Sequence, residues 1–576
     1  MQFKKIRIHA LLIIFFLLLA HPSVIPVSSI SKPVFVITDS ITDQPLGRLG
    51  IIVILDGLNV STLSLANTTY IDTLISEGLA FLNASSILPS ATTSAHVAMI
   101  TGAPPEINGV VHTYAYNATE YHQLLLDETP TSYGYMDMLR VKTLPEVAKE
   151  AGVKVGIIVS KSKLEVLAGK SRATDKLLVL PSSVIQGDPH EAGYPLEKRF
   201  DCMEWITNAT IKTIEDFYQF ILKGESALII THYAEPDWIQ GALGVTHPDT
   251  LKLIEFLDRE IGRIVDTLVE LNLWSRTFFV LTADHGFTKV NMNKNLLSSD
   301  INHLSTIHTE HIIVETAGLL LFIYLKYPEK LPEVVNELWE YPWTKSIWTR
   351  TFVENANGTL SDIGLDIDYA GDIVLDIRPP YYASRYSGVG GHGGTSTMKI
   401  PIIFAGGLLK KHPLSTTPSI IDIGSTVASV FGLTLPNATG QTLDIVAPTA
   451  IVDIEASPAI AEPHSTVSIK LNYSLTESLS GVSAKLFILH SNGTTYYEKE
   501  KSLTGTSGVI YFNVTINGED TYVIYGLIVD SNNVILGGKS ISILVIATEK
   551  PRYPIEKVLS AFLITVVLSA ILIAIP

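Results

Sequence analysis

The chain has 576 residues, 47% of them apolar, and 41 Lys and Arg against 57 Asp and Glu give a net charge of −16. That length predicts a catalytic-size unit with a smaller one beside it, and the apolar content excludes a disordered chain. The acidic balance offers no basic face for a nucleic-acid polymer, so none is expected as a partner; the lone Cys202 excludes an internal disulfide.

In chain order, MQFKKIRIHALLIIFFLLLA places Lys4, Lys5 and Arg7 ahead of an apolar run. This is the pattern of a signal peptide or N-terminal anchor, assigned to residues 1–29. From 48 to 445, strand and helix patterns alternate. LGIIVILDG reads as a buried strand, TLPEVAKEAGVKVGIIVS as a helix then a strand, and SALIITHYAEPD as another strand. TLKLIEFLDREIGRIVDTLVELNLW has apolar residues at i, i+3, i+4 and i+7, and the strands TFFVLTADHG and MKIPIIFAGG follow. Such alternation predicts an α/β fold with a mostly parallel sheet flanked by helices. Ligands gather at the carboxyl ends of the strands in sheets of this kind.

Past Val446 the texture changes to short alternating segments, such as TVSIKLNYSL and GVIYFNVTI, divided by Gly, Asn and Ser. Over 446–548 these predict an immunoglobulin-like β-sandwich of about 100 residues without its disulfide. Residues 549–557 form a stalk, and Val558–Pro576, 19 residues without a charge, suits a C-terminal transmembrane helix. The basic flank Lys550, Arg552 and Lys557 then falls on the outer side, against the positive-inside tendency. Ten Asn-x-Ser/Thr triplets between Asn59 and Asn513 point to a glycoprotein. Together these features predict a cell-surface protein, membrane-anchored, with its catalytic domain outside the cytoplasm.

Four strand ends or loops carry possible cation ligands: Asp56 in VILDG, Asp237 in EPD, Asp284 and His285 in TADHG, and His392 in GVGGHGG. Taken singly, such residues are more often caps, turn residues or surface groups; converging, they suit a borderline cation such as Zn²⁺. Thr92 in LPSATTSAHVAMITG falls where a loop enters a helix. Free N–H groups and the helix dipole favour a phosphate there, and a dication would make the threonine alkoxide available. Capping is the commoner task for Thr92 or Thr93. Lys161 and Lys163 follow a strand, where they either meet an anionic substrate or, as surface lysines usually do, stay solvated at a helix start.

From Leu49 to Ile445 the sequence resembles the alkaline phosphatase superfamily, most closely its type I phosphodiesterase/nucleotide pyrophosphatase branch. The likeness rests on VILDGL, LPSATTSAHVAMITG with PPEINGVV, EPD, LDREIGRIVDTL, TADHGF, GGHGG with IPIIFAGG, and DIGSTVASVFGL. The resemblance implies two divalent metal ions, zinc by expectation. Asp56, Asp284 and His285 would hold one together with the oxygen of Thr92, and Asp237 and His392 the other. Thr92 would attack phosphorus and form a phosphothreonine that water then hydrolyses. The implied substrate is a phosphate ester, a nucleotide or a lipid or glycan head group, cleaved at a phosphodiester or pyrophosphate bond.

Two departures stand out. The family places a histidine four residues after the EPD aspartate, where this chain has Gly241. His247 is the possible substitute ligand, Gln240 a poorer one. Ala95 stands where the pyrophosphatase branch has a phosphate-binding asparagine. A sulfatase is disfavoured, since its motif needs Cys or Ser in place of threonine. The remaining alternatives are a phosphomonoesterase, a phospho-group transferase, and a catalytically degenerate surface binding protein.

Overall fold

The computed structural model describes residues 47–547, except 113, 118–121, 126–136, 297–311, 317, 385–387, 411–413, 449, 476–477, 492–493 and 532–534. The expected N-terminal segment, stalk and transmembrane helix lie outside these residues. Among the described residues no helix is long and apolar enough to cross a membrane.

The strands β1 (Leu49–Leu55), β2 (Leu79–Ser85), β3 (Lys154–Val159), β4 (Lys176–Val179), β5 (Ala227–Tyr233), β6 (Thr277–Thr282) and β7 (Lys399–Ala405) form one sheet, ordered β2-β7-β6-β1-β5-β3-β4. β1 pairs in parallel with β5 and β6, and β3 in parallel with β5 and β4. Only β7 runs against its neighbours, so the mostly parallel sheet expected from the alternation is present. β1 lies at its middle with every residue buried, which is why LGIIVIL reads as an unbroken apolar run.

Helices α1 (Thr69–Glu77), α2 (Thr92–Thr101), α3 (Leu196–Leu222), α4 (Glu235–Leu243), α5 (Pro248–Glu270) and α6 (Ile421–Val430) cover the sheet. On one face the Thr210 hydroxyl of α3 meets that of Thr231 on β5 at 3.0 Å. On the other face Gly50 leaves room for α6, because a Cβ there would stand 3.3 Å from Val427. α5 lies over α1 and supplies its cap. Thr68 makes no side-chain cap bond, and the buried Asp258 carboxylate accepts from the N–H groups of Tyr70 at 3.2 Å and Ile71 at 2.8 Å.

A second sheet, Ile312–Thr316, Leu320–Leu325, Ile373–Ile377, Thr344–Thr349 and Gly358–Thr359 in that spatial order, was not anticipated. It is antiparallel except at its last pair. It holds the loop that carries His392: the Leu319 N–H donates to the His392 carbonyl at 2.9 Å. Gly318 has φ +68°, and a Cβ there would come within 2.3 Å of the same carbonyl, so this approach needs glycine.

Beyond Val446 two sheets enclose one core. Ala450–Ser457, Ser465–Leu475 and Ser507–Ile516 form the first; Ile460–Ala461, Ile535–Val545, Asp520–Val529, Ser483–Leu489 and Thr495–Ser502 form the second. Ile469, Leu471, Ile488, Phe512 and Ile524 are among the side chains between them. Arg48, just before β1, donates to the carbonyls of Ala447 and Leu536, both at 3.1 Å.

Replacing Asp258 by Ala should lower the stability of the α/β region by about 1–2 kcal/mol, because two N–H groups at the start of α1 lose their acceptor. Asp258→Asn should recover part of the loss. Urea unfolding of the two variants beside the parent checks this.

Candidate active site

β1, β5 and β6 are neighbours, so the residues just past their carboxyl ends meet. Asp56 follows β1, Asp284 and His285 follow β6, and Asp237 lies in the first turn of α4 after β5. Gly57 has φ +68°, a turn that lets its N–H reach back to donate to Asp284 Oδ1 at 2.9 Å. The His285 N–H donates to the same oxygen at 2.9 Å. Backbone groups thus satisfy Oδ1 and leave Oδ2 facing inward.

His285 Nε2 stands 3.3 Å from Asp56 Oδ1 and 3.4 Å from Asp284 Oδ2. All three atoms are buried and meet no hydrogen-bond partner. His285 Nδ1 lies 3.1 Å from the Gly286 carbonyl, the contact by which a neutral imidazole donates from one nitrogen and turns the other's lone pair toward a ligand. Buried polar groups are nearly always paired. Two carboxylate oxygens and one imidazole nitrogen facing one another fit a divalent cation, which would take the place of the proton that the two carboxylates otherwise favour on Nε2, and they match the donor types zinc takes.

The second group of donors fits less well. His392 Nε2 lies 3.6 Å from Asp237 Oδ1, and its ring stacks on His285 with centroids 3.8 Å apart. His285 belongs to both groups, Asp56–Asp284–His285 and Asp237–His285–His392. Given to the first, it leaves Asp237 and His392 alone among the described residues, short of the three protein ligands that a catalytic zinc site ordinarily keeps.

Lys161 is not a solvated surface lysine. It follows β3 and is 11% exposed, with Nζ 2.7 Å from Asp56 Oδ2 and 2.6 Å from Asp237 Oδ2. Burial opposes its charge, but the two carboxylates hold it well above the ordinary lysine range. Burial alone would raise Asp56; the Lys161 ammonium and the hydrogen bond from His232 take it well below the usual carboxylate range. Asp237 is likewise lowered by Lys161 against its burial. His285 is pushed up to about 9, the carboxylates of Asp284 and Asp56 outweighing burial. His392 is held down to about 4, first by burial and then by the neighbouring His285.

Thr92 opens α2 and is buried, as are all the residues of that helix. Residues on either side of it touch the donors. The Ser90 carbonyl lies 3.2 Å from His392 Nδ1. His96, four residues on, places Nδ1 2.7 Å from the Thr92 carbonyl and 3.3 Å from Asp284 Oδ2. The Thr93 hydroxyl is buried without a partner.

His247 is not brought to the cluster: its Nδ1 accepts from the Asp249 N–H at 3.2 Å and caps α5. Gln240 is buried, but its amide is spent on the Gly57 and Pro236 carbonyls at 2.7 and 2.9 Å. Two histidines of the site escaped the sequence reading. His96 shares a helix face with Thr92 by its i+4 spacing. His232, on β5, accepts from the Ser160 N–H through Nδ1 at 3.3 Å and so donates from Nε2 to Asp56 Oδ2 at 2.9 Å.

Comparison with known proteins gives this geometry a family. The description type I phosphodiesterase / nucleotide pyrophosphatase matches residues 50–395. The chain belongs to that family. By its description it is a family of hydrolases of phosphoric ester bonds. The Staphylococcus haemolyticus 2,3-bisphosphoglycerate-independent phosphoglycerate mutase is 29% identical over 23% of this chain and 23% of its own length. Ectonucleotide pyrophosphatase/phosphodiesterase family member 7 of Mus musculus is 21% identical over 39% of this chain and 46% of its own. The chain thus spans less than half the length of either relative.

Among solved structures, murine ectonucleotide pyrophosphatase / phosphodiesterase 5, an inactive variant in complex with AMP, superposes with a TM-score of 0.52 and 16% identity, covering 69% of this chain and 97% of the other. Phosphonoacetate hydrolase from Sinorhizobium meliloti with phosphonoformate gives 0.51 at 18% identity, covering 67% and 96%. Both show the shared fold.

A cation that binds only the folded donors should stabilise the protein. After chelation, Zn²⁺ at a hundredfold excess over its dissociation constant should add about 2.7 kcal/mol, seen as a higher unfolding temperature in scanning fluorimetry. His285→Ala should abolish that rise.

Proposed function

We propose that this chain is a metal-dependent phosphohydrolase that cleaves phosphodiester or pyrophosphate bonds, with Thr92 as nucleophile. One observation carries the reading: Asp56 Oδ1, Asp284 Oδ2 and His285 Nε2 converge, buried and unpartnered, with His96 of α2 3.3 Å from Asp284 Oδ2. A divalent cation held by these three, zinc by donor type, would supply Lewis acidity, lower the pKa of the threonine hydroxyl and neutralise charge on the phosphoryl oxygens.

The chain's own residues do the rest. The N–H groups opening α2 orient a phosphoryl group toward Thr92. The Thr92 oxygen forms a bond to phosphorus as the ester or anhydride oxygen leaves with its electron pair. Water then attacks the phosphothreonine from the opposite side, releasing phosphate ester and restoring the hydroxyl. His96 bonds the Thr92 carbonyl and lies against Asp284, so it positions the nucleophile relative to the donors. Lys161, between two carboxylates, adds positive charge where the substrate's negative charge arrives.

The AMP held by the murine relative supports a nucleotide as substrate; a lipid or glycan head group carries the same chemistry. The C-terminal strand order, three strands facing five, supports an immunoglobulin-like sandwich over 446–548. An extracytoplasmic, membrane-tethered setting rests on the apolar run Val558–Pro576 and on the sequons. Asn67, Asn83, Asn208, Asn357, Asn437 and Asn513 are exposed, and Asn59 and Asn472 are partly so.

Thr92→Ala should cut turnover of bis-p-nitrophenyl phosphate by at least about 10³-fold while leaving the zinc-dependent rise in unfolding temperature nearly intact. Thr93→Ala should keep most of the activity. Reversal of these two results would move the nucleophile to Thr93. Faster turnover of p-nitrophenyl phosphate than of the diester would make the protein a monoesterase, and no turnover of either by metal-loaded protein would make it a binding protein.

A further inference from the structure

In a two-metal phosphoryl-transfer site the charge is balanced by two cations, one toward the entering oxygen and one toward the leaving oxygen. Among the described residues, the donors for the second position are Asp237 and His392 alone once His285 serves the first. Gly241, on the same face of α4 as Asp237 by its i+4 spacing, adds no side chain, and its carbonyl already accepts from the Val389 N–H at 3.0 Å. Against that deficit stands Lys161, whose Nζ bridges Asp56 Oδ2 and Asp237 Oδ2 at 2.7 and 2.6 Å.

The lysine is aimed, not merely nearby. Ser160, the residue before it, donates its hydroxyl to the His232 carbonyl at 3.0 Å and accepts from the Ala234 N–H at 3.2 Å. This ties the end of β3 to the end of β5 and fixes the direction in which Lys161 leaves the sheet. The Trp238 ring, 6.0 Å away, walls the ammonium on the side of α4.

We infer that the Lys161 ammonium takes the place of the second metal ion, so that the centre works with one divalent cation and one fixed positive side chain. An ammonium has three N–H donors. Two are engaged by Asp56 and Asp237, and the third is left for a phosphoryl oxygen. The inference rests on the proposed cation at Asp56, Asp284 and His285, and it removes the requirement for the histidine that Gly241 replaces.

The test is a stoichiometry. Chelator-treated full chain is re-supplied with Zn²⁺, freed of excess by gel filtration, and assayed for bound zinc by mass spectrometry. The parent should hold about one zinc per chain, and Asp284→Ala should hold none. Lys161→Ala combined with Gly241→His should hold about two. A side chain can start at 241 without a clash, since a Cβ there meets nothing closer than the Phe287 ring at 3.9 Å. A parent ratio near two overturns the inference while leaving the proposed hydrolase standing. A folded double variant that stays at one also overturns it. A parent ratio of zero removes the cation at Asp56 and the proposed function with it, which keeps the two failures apart. Should the double variant not fold, the parent ratio alone decides.

Discussion

Three carboxylates, Asp56, Asp237 and Asp284, cannot be buried at the edge of one sheet without positive charge between them. Stripping solvent from each ion costs several kcal/mol, and mutual repulsion in the interior adds to that. The surrounding residues answer this constraint. Lys161 spans two of the carboxylates, His232 donates to one, and His285 stands between the other oxygens. The histidines of the cluster are each fixed by something outside it: Ser160 holds His232, Gly286 holds His285, and the Ser90 carbonyl holds the ring of His392. The fold behind them gathers the ends of β1, β5 and β6, and the second sheet pins the loop of His392 from the far side.

The hydrogen-bond pattern also divides the labour within single side chains. Asp284 spends Oδ1 on two backbone N–H groups and keeps Oδ2 open; Asp56 spends Oδ2 on His232 and Lys161 and keeps Oδ1 open. Each carboxylate is held by one oxygen and offers the other. That is why the site can be rigid and reactive at once, and why it bears more resemblance to a binding socket than to a salt-bridge network.

Much of this was legible in the sequence. Strand ends are marked by apolar runs, so the sequence alone puts Asp56, Asp284 and His285 at the carboxyl edge. The neighbouring strands that bring them together follow from the parallel alternation. What could not be read were interactions at long separation. Lys161 looks like any lysine at a helix start, and nothing local tells that β3 ends beside β5 with two carboxylates waiting. His96 and His232 lie inside regular elements, where a histidine is usually only packed. His247 sits near Asp237 in sequence, yet the turn before α5 draws its ring to an N–H group of its own helix. The antiparallel second sheet was missed because its strands are interrupted by loops and a helix, so no continuous alternation announces them.

One small feature has a wide reach. The turn after β1 is braced by the Gln240 amide on the Gly57 carbonyl at 2.7 Å and by the Gly57 N–H on Asp284 at 2.9 Å, bonds that no metal takes part in. The proposed ion would therefore meet a socket whose frame is already built. On the proposed reading, capture would be limited by the ion shedding its own hydration water rather than by reshaping the polypeptide, and one ion would exchange for another without unravelling the turns that frame the centre.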